Sequence, residues 1–409
     1  MAWLVGVVPL AIYAFSPRTG DLPLYFHTAR AFLEGAVPNQ DFRFEYPPYA
    51  LLWFVPAAWL GGSTLSAFIP LFGLQLALFD AFIKWLLLVE GVRRWGRGWR
   101  SYVPWGACTL ASWLQSIHYL KRYDLIPAAF VLGALVALAR RREALAGWAL
   151  AVGVVTKLYP VVLVPLALAV CWRRGTWRRL VGGLLVGVLP LLPLSAFWPW
   201  WDFASFHVER GLQVESLGAS LLWAAHRVGL VPEVAWVHAP AAYELHGAAA
   251  EAVKGAFRWV WVGGSLAAAA VGVAAVRRRL PESTEDWARL ALGPLLAFVA
   301  LNPVLSPQYL IWLVSLAGLV LLSGSRGAPA LLFVAVLLTR ALFWGNGNYG
   351  SGLTGPYTVM LLTRNGLLVA VGVALLWEVW RAPGLPPGET PGQGPGGIGS
   401  RPSPSPGPP

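Results

Sequence analysis

The sequence predicts an all-α integral membrane protein, a polytopic transmembrane helical bundle of about 11–13 membrane helices with an acid-rich loop after the first. Three observations predict it. Of 409 residues, 57% are hydrophobic and only 12% charged, with mean hydropathy +0.60, a composition outside the range of soluble domains. The apolar residues fall in runs at 48–61, 64–90, 103–119, 124–139, 145–172, 180–198, 256–276, 288–302, 308–322, 328–343 and 356–378. Basic residues cluster between runs, at Arg93, Arg94, Arg97 and Arg100, at Arg140–Arg142, at Arg173–Arg179, at Arg277–Arg279 and at Arg381, as cytoplasmic loops do. The net charge of +12 therefore reads as membrane orientation and not as nucleic-acid binding. The expected organisation is a membrane domain over 1–382 and a disordered Pro/Gly-rich tail over 383–409, in a multi-pass protein of the cell membrane.

In chain order, the first run, Ala2 to Phe15, is short and has no basic residue before it, which favours an uncleaved first helix. The stretch Gly20 to Pro48 follows and holds Asp21, Glu34, Asp41 and Glu45, four of only 19 acids in the chain. In a lipid-embedded protein acids are costly and collect where water and chemistry are. Tyr25, Phe26 and Ala29 to Leu33 give the loop a short amphipathic helix that stops at Gly35. Pro47 and Pro48 hold Tyr46 extended and suit the first turn of the next helix.

Counting crossings between the basic clusters puts the loops at 120–123, 199–255, 303–307 and 344–355 on the opposite, extracytoplasmic side. The count requires 145–172 to pass an even number of times, as two short helices meeting near Lys157 to Pro160. It also exposes a conflict: two crossings at 48–61 and 64–90 would leave the Arg93 cluster outside. Either one run does not cross or that cluster breaks the charge pattern.

The candidates for chemistry lie on that outer side. Lys157 is embedded in apolar sequence and is either a snorkelling lysine at a helix end or a cation that holds a phosphate. Lys121, Arg122 and Asp124 form a solvated loop with a local ion pair or part of a site, with Asp124 opening a helix. Asp21 is a helix N-cap, a base, or both. The Trp198 to Trp201 segment is an interface belt or a sugar-stacking surface. Cys108 and Cys171 lie in or at the end of apolar runs and define neither a disulfide nor a metal site, and the six His show no metal-ligand spacing.

In order along the chain, Gly20-Asp21-x3-Tyr25, Gly35, Asp41 and Glu45-Tyr46-Pro47-Pro48 form a pattern. It continues with Thr156-Lys157-Leu158-Tyr159-Pro160, then Glu209-Arg210-Gly211 and Gln213-Val214-Glu215-Ser216, then Leu305 to Trp312 with Gln308 and Tyr309. Over about residues 10–320 this set resembles the polyprenol-phosphate-mannose-dependent mannosyltransferases of the GT-C fold, the GT87 group. The resemblance implies a membrane hexosyltransferase that moves mannose from a polyprenyl-phosphate donor to a lipid or glycan acceptor hydroxyl. It places the catalytic acid on Asp21. It suggests substrate contacts at Tyr25, Asp41, Glu45, Tyr46, Arg122, Asp124, Lys157, Arg210, Glu215, Ser216, Gln308 and Tyr309. Val214-Glu215-Ser216 departs from relatives that carry Asn-Gln-Ser there.

The chemistry asks for the same parts independently. A carboxylate takes the acceptor's proton on the face opposite the leaving group, with inversion, and cations stabilise the departing phosphate. The implied partners are the lipid-linked donor, a glycolipid or glycan acceptor and membrane lipids, with no cofactor and no metal. A transporter or flippase of a lipid-linked or small polar substrate is the competing class, although the paired interrupted helices of inverted repeats are not visible.

Overall fold

The computed structural model describes residues 20–231, 234–239, 242–343 and 355–381. The first apolar run, nearly all of the 344–355 loop and the Pro/Gly-rich tail lie outside the described residues.

The described chain is a helical bundle. Its main helices are α1 (Leu22–Leu33), α2 (Pro48–Gly61), α3 (Leu65–Trp95), α4 (Val103–Leu114), α5 (Leu125–Ala139), α6 (Glu143–Thr156), α7 (Val164–Arg173) and α8 (Trp177–Val188). They continue with α9 (Phe203–Glu209), α10 (Leu217–Arg227), α11 (Ala248–Arg278), α12 (Thr284–Ala300), α13 (Leu310–Leu321), α14 (Gly327–Leu342) and α15 (Gly355–Arg381). Sequence reading expected helices alone. The 199–255 loop adds a small antiparallel sheet of β1 (Leu212–Gln213), β2 (Ala235–Ala239) and β3 (Ala242–His246), in the order β1-β3-β2. Four helical segments, Leu65–Trp95, Trp177–Leu194, Ala248–Arg278 and Gly355–Arg381, are long and apolar enough to cross a membrane.

The basic clusters gather at one end of the bundle, where they tie helix ends together. Arg94 pairs with Glu285 at 3.2 Å, Arg140 pairs with Glu90, and the Thr284 hydroxyl donates to the other Glu90 oxygen at 2.7 Å. Arg174 donates to the Leu138 carbonyl at 3.2 Å, which brings the loops after α5 and α7 to the same level. A capping box between Ser283 and Asp286 starts α12 at this end.

The fold settles the conflict at 48–100. At 14 residues, α2 is only about 21 Å long, short of a hydrocarbon core of roughly 30 Å. It also folds back along the start of α3. The Gln75 amide donates to the Trp53 carbonyl at 2.9 Å, and a Cβ on Gly61 would lie 3.0 Å from the Phe68 nitrogen. Of the two, only α3 has the length to cross, and it delivers the Arg93 cluster to the basic end.

The 145–172 run is the expected pair of short helices. α6 rises from the basic end, the helix breaks at Lys157, and a 3-10 turn over Tyr159–Leu163 leads into α7, which returns to Arg173. What holds α6 in place is close backbone packing on α8. A Cβ on Gly183 would fall 1.9 Å from the Ala144 carbonyl oxygen, and one on Gly147 would fall 2.1 Å from that of Leu180. Small residues at such crossings let membrane helices approach until their backbones touch. This packing fixes the helix whose last turn presents Lys157.

Polar side chains inside α3 are paired as lipid burial demands. Lys84 donates to Asp80 at 2.8 Å, one helical turn away, and the Tyr119 hydroxyl donates to the other Asp80 oxygen at 2.9 Å.

Candidate active site

At the end opposite the basic clusters, loops bring three acid–base pairs into one neighbourhood. Gly20 takes a left-handed backbone (φ +57°), which turns the chain so that Asp21 precedes α1. Asp21 sits where an N-cap would, yet its side chain makes no capping bond; its carboxylate pairs with Arg122. The first reading of Asp21 as a cap is thereby set aside by geometry. The second pair is Asp124 with Lys157, at 2.7 Å, and the indole of Trp312 donates to the same Asp124 oxygen at 2.7 Å. The third is Glu45 with Arg210, at 3.6 Å, a looser contact between partly exposed groups.

Aromatic rings surround Lys157. Its ammonium lies 4.5 Å from the Tyr123 ring centroid, 5.3 Å from that of Trp312 and 5.6 Å from that of Tyr309. Trp312 is itself sandwiched, stacked on Tyr159 at 4.0 Å and on Tyr309 at 4.2 Å. A snorkelling lysine would reach toward water. This one is turned inward and held by a carboxylate that is only 1% exposed. The other Asp124 oxygen and the Tyr123 hydroxyl are buried without a partner among the described residues, and such groups are costly unless something meets them.

The three cations feel one another's charge. Arg210 repels Arg122, and both act on Lys157. Burial pushes the Arg122 guanidinium down to about 10 against the attraction of Asp124, which leaves it charged at neutral pH. For Arg210, burial works downward, but Glu45 and the phenols of Tyr309 and Tyr46 outweigh it and the net shift is upward. Three cations, each paired with a carboxylate, gather in a partly dry, aromatic-walled place and offer charged donors for which a phosphate can compete.

Other residues singled out from sequence sit elsewhere. Tyr25 is buried, stacked on Phe54 at 4.3 Å, and belongs to the core beneath the site. Tyr46 lies between that core and the site, edge-on to Tyr123 at 5.3 Å. The Asp41 carboxylate accepts from the Val37 backbone N–H at 2.7 Å and shapes its own exposed turn. Ser216 is the true N-cap of α10, accepting from the Ala219 N–H at 3.1 Å. Glu215 is buried against α15, where Arg364 donates to its backbone carbonyl at 2.8 Å and lies 3.5 Å from its carboxylate. Asn365 donates to the same carbonyl at 3.1 Å. Gln308 is half-buried in the 3-10 turn that presents Tyr309. Trp198 is buried against Phe44, at 5.8 Å, and so is neither an interface belt nor a sugar platform.

Tyr159 and Trp312 stood in quoted motifs and Tyr123 in the candidate stretch Lys121 to Asp124, but sequence assigned none of the three a role of its own. Their signal was adjacency, since each lies within or beside a quoted motif. Among the described residues no three His, Cys, Asp or Glu side chains come together as metal ligands would.

Arg364→Met, which leaves the Glu215 carboxylate buried without its cation, should lower unfolding stability by about 3–5 kcal/mol. The effect should appear as a lower unfolding temperature of the detergent-solubilised protein. An unchanged temperature would remove the structural role assigned to Glu215 and return it to the list of substrate contacts.

A helical bundle with membrane-length helices, acids and cations convergent at one end and basic loops at the other has the architecture of a helical membrane protein with a polar site at one face. The profile of glycosyltransferase family 87 matches residues 44–307, and the chain belongs to that family. No curated protein matches the sequence. The matched segment contains Glu45, Arg122, Asp124, Lys157 and Arg210 and begins after Asp21, Tyr25 and Asp41. Membership sets aside the transporter reading.

Proposed function

We propose that this glycosyltransferase moves a hexose, mannose by its resemblance, from a polyprenyl-phosphate donor to the hydroxyl of a lipid or glycan acceptor, on the extracytoplasmic side of the cell membrane. The observation that carries the reading is the convergence of Asp21 with Arg122, Lys157 and Arg210. The Asp21 carboxylate takes the acceptor's proton as the hydroxyl oxygen bonds to the anomeric carbon. The bond from that carbon to the phosphate oxygen breaks on the opposite face, and its electron pair stays on the phosphate. The configuration inverts. The three cations stabilise the charge that collects on the leaving group.

Arg122 links the two halves of this scheme. In the structure the Asp21 carboxylate is engaged by Arg122. A donor phosphate competes for the same guanidinium, and as it draws Arg122 away it frees the carboxylate for the acceptor hydroxyl. Asp124 and Trp312 have a positioning role, aiming Lys157 across the aromatic walls. α5 and α6, with 15 and 14 residues, place Asp124 and Lys157 about 21–23 Å above the basic end. No metal and no cofactor is required by this scheme.

The test is transfer itself. Purified protein in lipid nanodiscs, given radiolabelled polyprenyl-phosphate mannose and an extract of the membrane's glycolipids, should release polyprenyl phosphate and label a glycolipid with inverted anomeric configuration. Labelling only with a nucleotide-sugar donor would overturn the donor assignment.

A further inference from the structure

A second feature lies away from the site, on the lipid-facing side of α3, α5 and α6. There the three helices enclose an open groove of about 480 Å³ whose lining is almost wholly apolar. It runs along 75–86 of α3, 129–137 of α5 and 145–149 of α6 and ends at Arg140 and Arg142 in the turn between the last two, so its axis follows the helices toward the basic end. Phe82, Trp85, Phe130 and Trp148 supply its walls, and Gly133 keeps its floor open. The two ends differ. Toward the active site Trp53 packs behind its wall, with its ring 5.5 Å from that of Phe79 and 5.8 Å from that of Phe130. The same Trp53 donates to Thr156 at 2.9 Å, beside Lys157, and its carbonyl accepts from Gln75. At the other end stand Arg140 and Arg142. Arg140 is shared with Glu90, whereas Arg142 is exposed and opens onto the groove.

We propose that this groove binds an anionic phospholipid of the leaflet at the basic end, with one acyl chain along the aromatic walls and the phosphate at Arg142. Charge complementarity selects the occupant. An apolar slot with a cation at its membrane-surface end fits an acidic headgroup above an acyl chain, as basic pockets between membrane helices do. None of Arg122, Lys157 and Arg210 lines the groove, whose cations stand at the opposite end, which argues against the tail of the sugar donor. The bound lipid bridges α3, α5 and α6, and α5 and α6 carry Asp124 and Lys157 at their far ends, so its occupancy also steadies the ion pair there.

The proposal stands apart from the sugar-transfer reading, and binding alone tests it. Native mass spectrometry of the purified full chain should show phosphatidylglycerol retained in preference to phosphatidylcholine with the same acyl chains. Phosphatidylglycerol should also raise the unfolding temperature more. Arg142→Ala should weaken phosphatidylglycerol retention about fivefold, the worth of one cation near a membrane surface, and leave phosphatidylcholine unchanged. Gly133→Leu, which fills the floor, should weaken both; should that variant not fold, the Arg142 comparison decides alone. Equal retention of the two headgroups, or unchanged retention by Arg142→Ala, overturns the proposal. Displacement of phosphatidylglycerol by equimolar polyprenyl phosphate does so too, since it would give the groove to the donor.

Discussion

Asp21→Asn should leave the chain folded and inserted while cutting sugar transfer by about 100- to 10,000-fold, the range typical of losing a positioned base. Folding should survive because the Asp21 side chain caps nothing, and an asparagine carbonyl can still accept from Arg122. The loss should fall on kcat, since the proton is taken only as the acceptor attacks. Three other acids serve as controls, each with a distinct expectation from its partner. Asp41→Asn should be near normal, because that carboxylate holds its own turn through Val37. Glu45→Gln should weaken donor binding modestly by loosening Arg210. Asp124→Asn should lower both affinity and stability, since Lys157 and Trp312 both bond its one oxygen. Near-normal turnover by Asp21→Asn with collapse in Glu45→Gln would move the base to Glu45, and collapse in Asp124→Asn alone would move it to Asp124. Transfer rates at saturating donor and matched expression decide among them.

Lys157→Gln should raise the KM for the polyprenyl-phosphate donor by about 10- to 150-fold, the equivalent of a charge-assisted hydrogen bond of ~1.5–3 kcal/mol. Its ammonium is walled by Tyr123, Tyr309 and Trp312, so water cannot fully replace it at the phosphate. The single variant also strands the Asp124 carboxylate, which is 1% exposed, and stability should fall with affinity. The double variant Lys157→Gln/Asp124→Asn separates the two effects. Removing both charges should restore much of the unfolding temperature but none of the donor affinity. If the double variant recovers both, Lys157 serves the fold and the phosphate site lies with Arg122 and Arg210.

The sequence by itself determined the class of this protein. Composition and clustered arginines specified a membrane bundle with two unlike ends, because hydrophobic length and loop charge are local properties that need no partner to be read. The break near Lys157 was also legible, since the charged loops on either side require the 145–172 run to cross an even number of times. The ordered motifs carried the family. What only the tertiary structure decided is which group answers which. Asp124 meets residues 33 and 188 positions away, Lys157 and Trp312, and no local pattern announces such pairs. Nor did sequence show that α2 turns back along α3, because 14 apolar residues look alike in a short spanning helix and in one that returns. Glu215 and Ser216 lie in the same motif region as Arg210. Yet one faces Arg364 on α15, the other caps α10, and only Arg210 reaches Glu45. Side-chain identity sets what a residue is able to do; the helix ends that packing brings together set what it does.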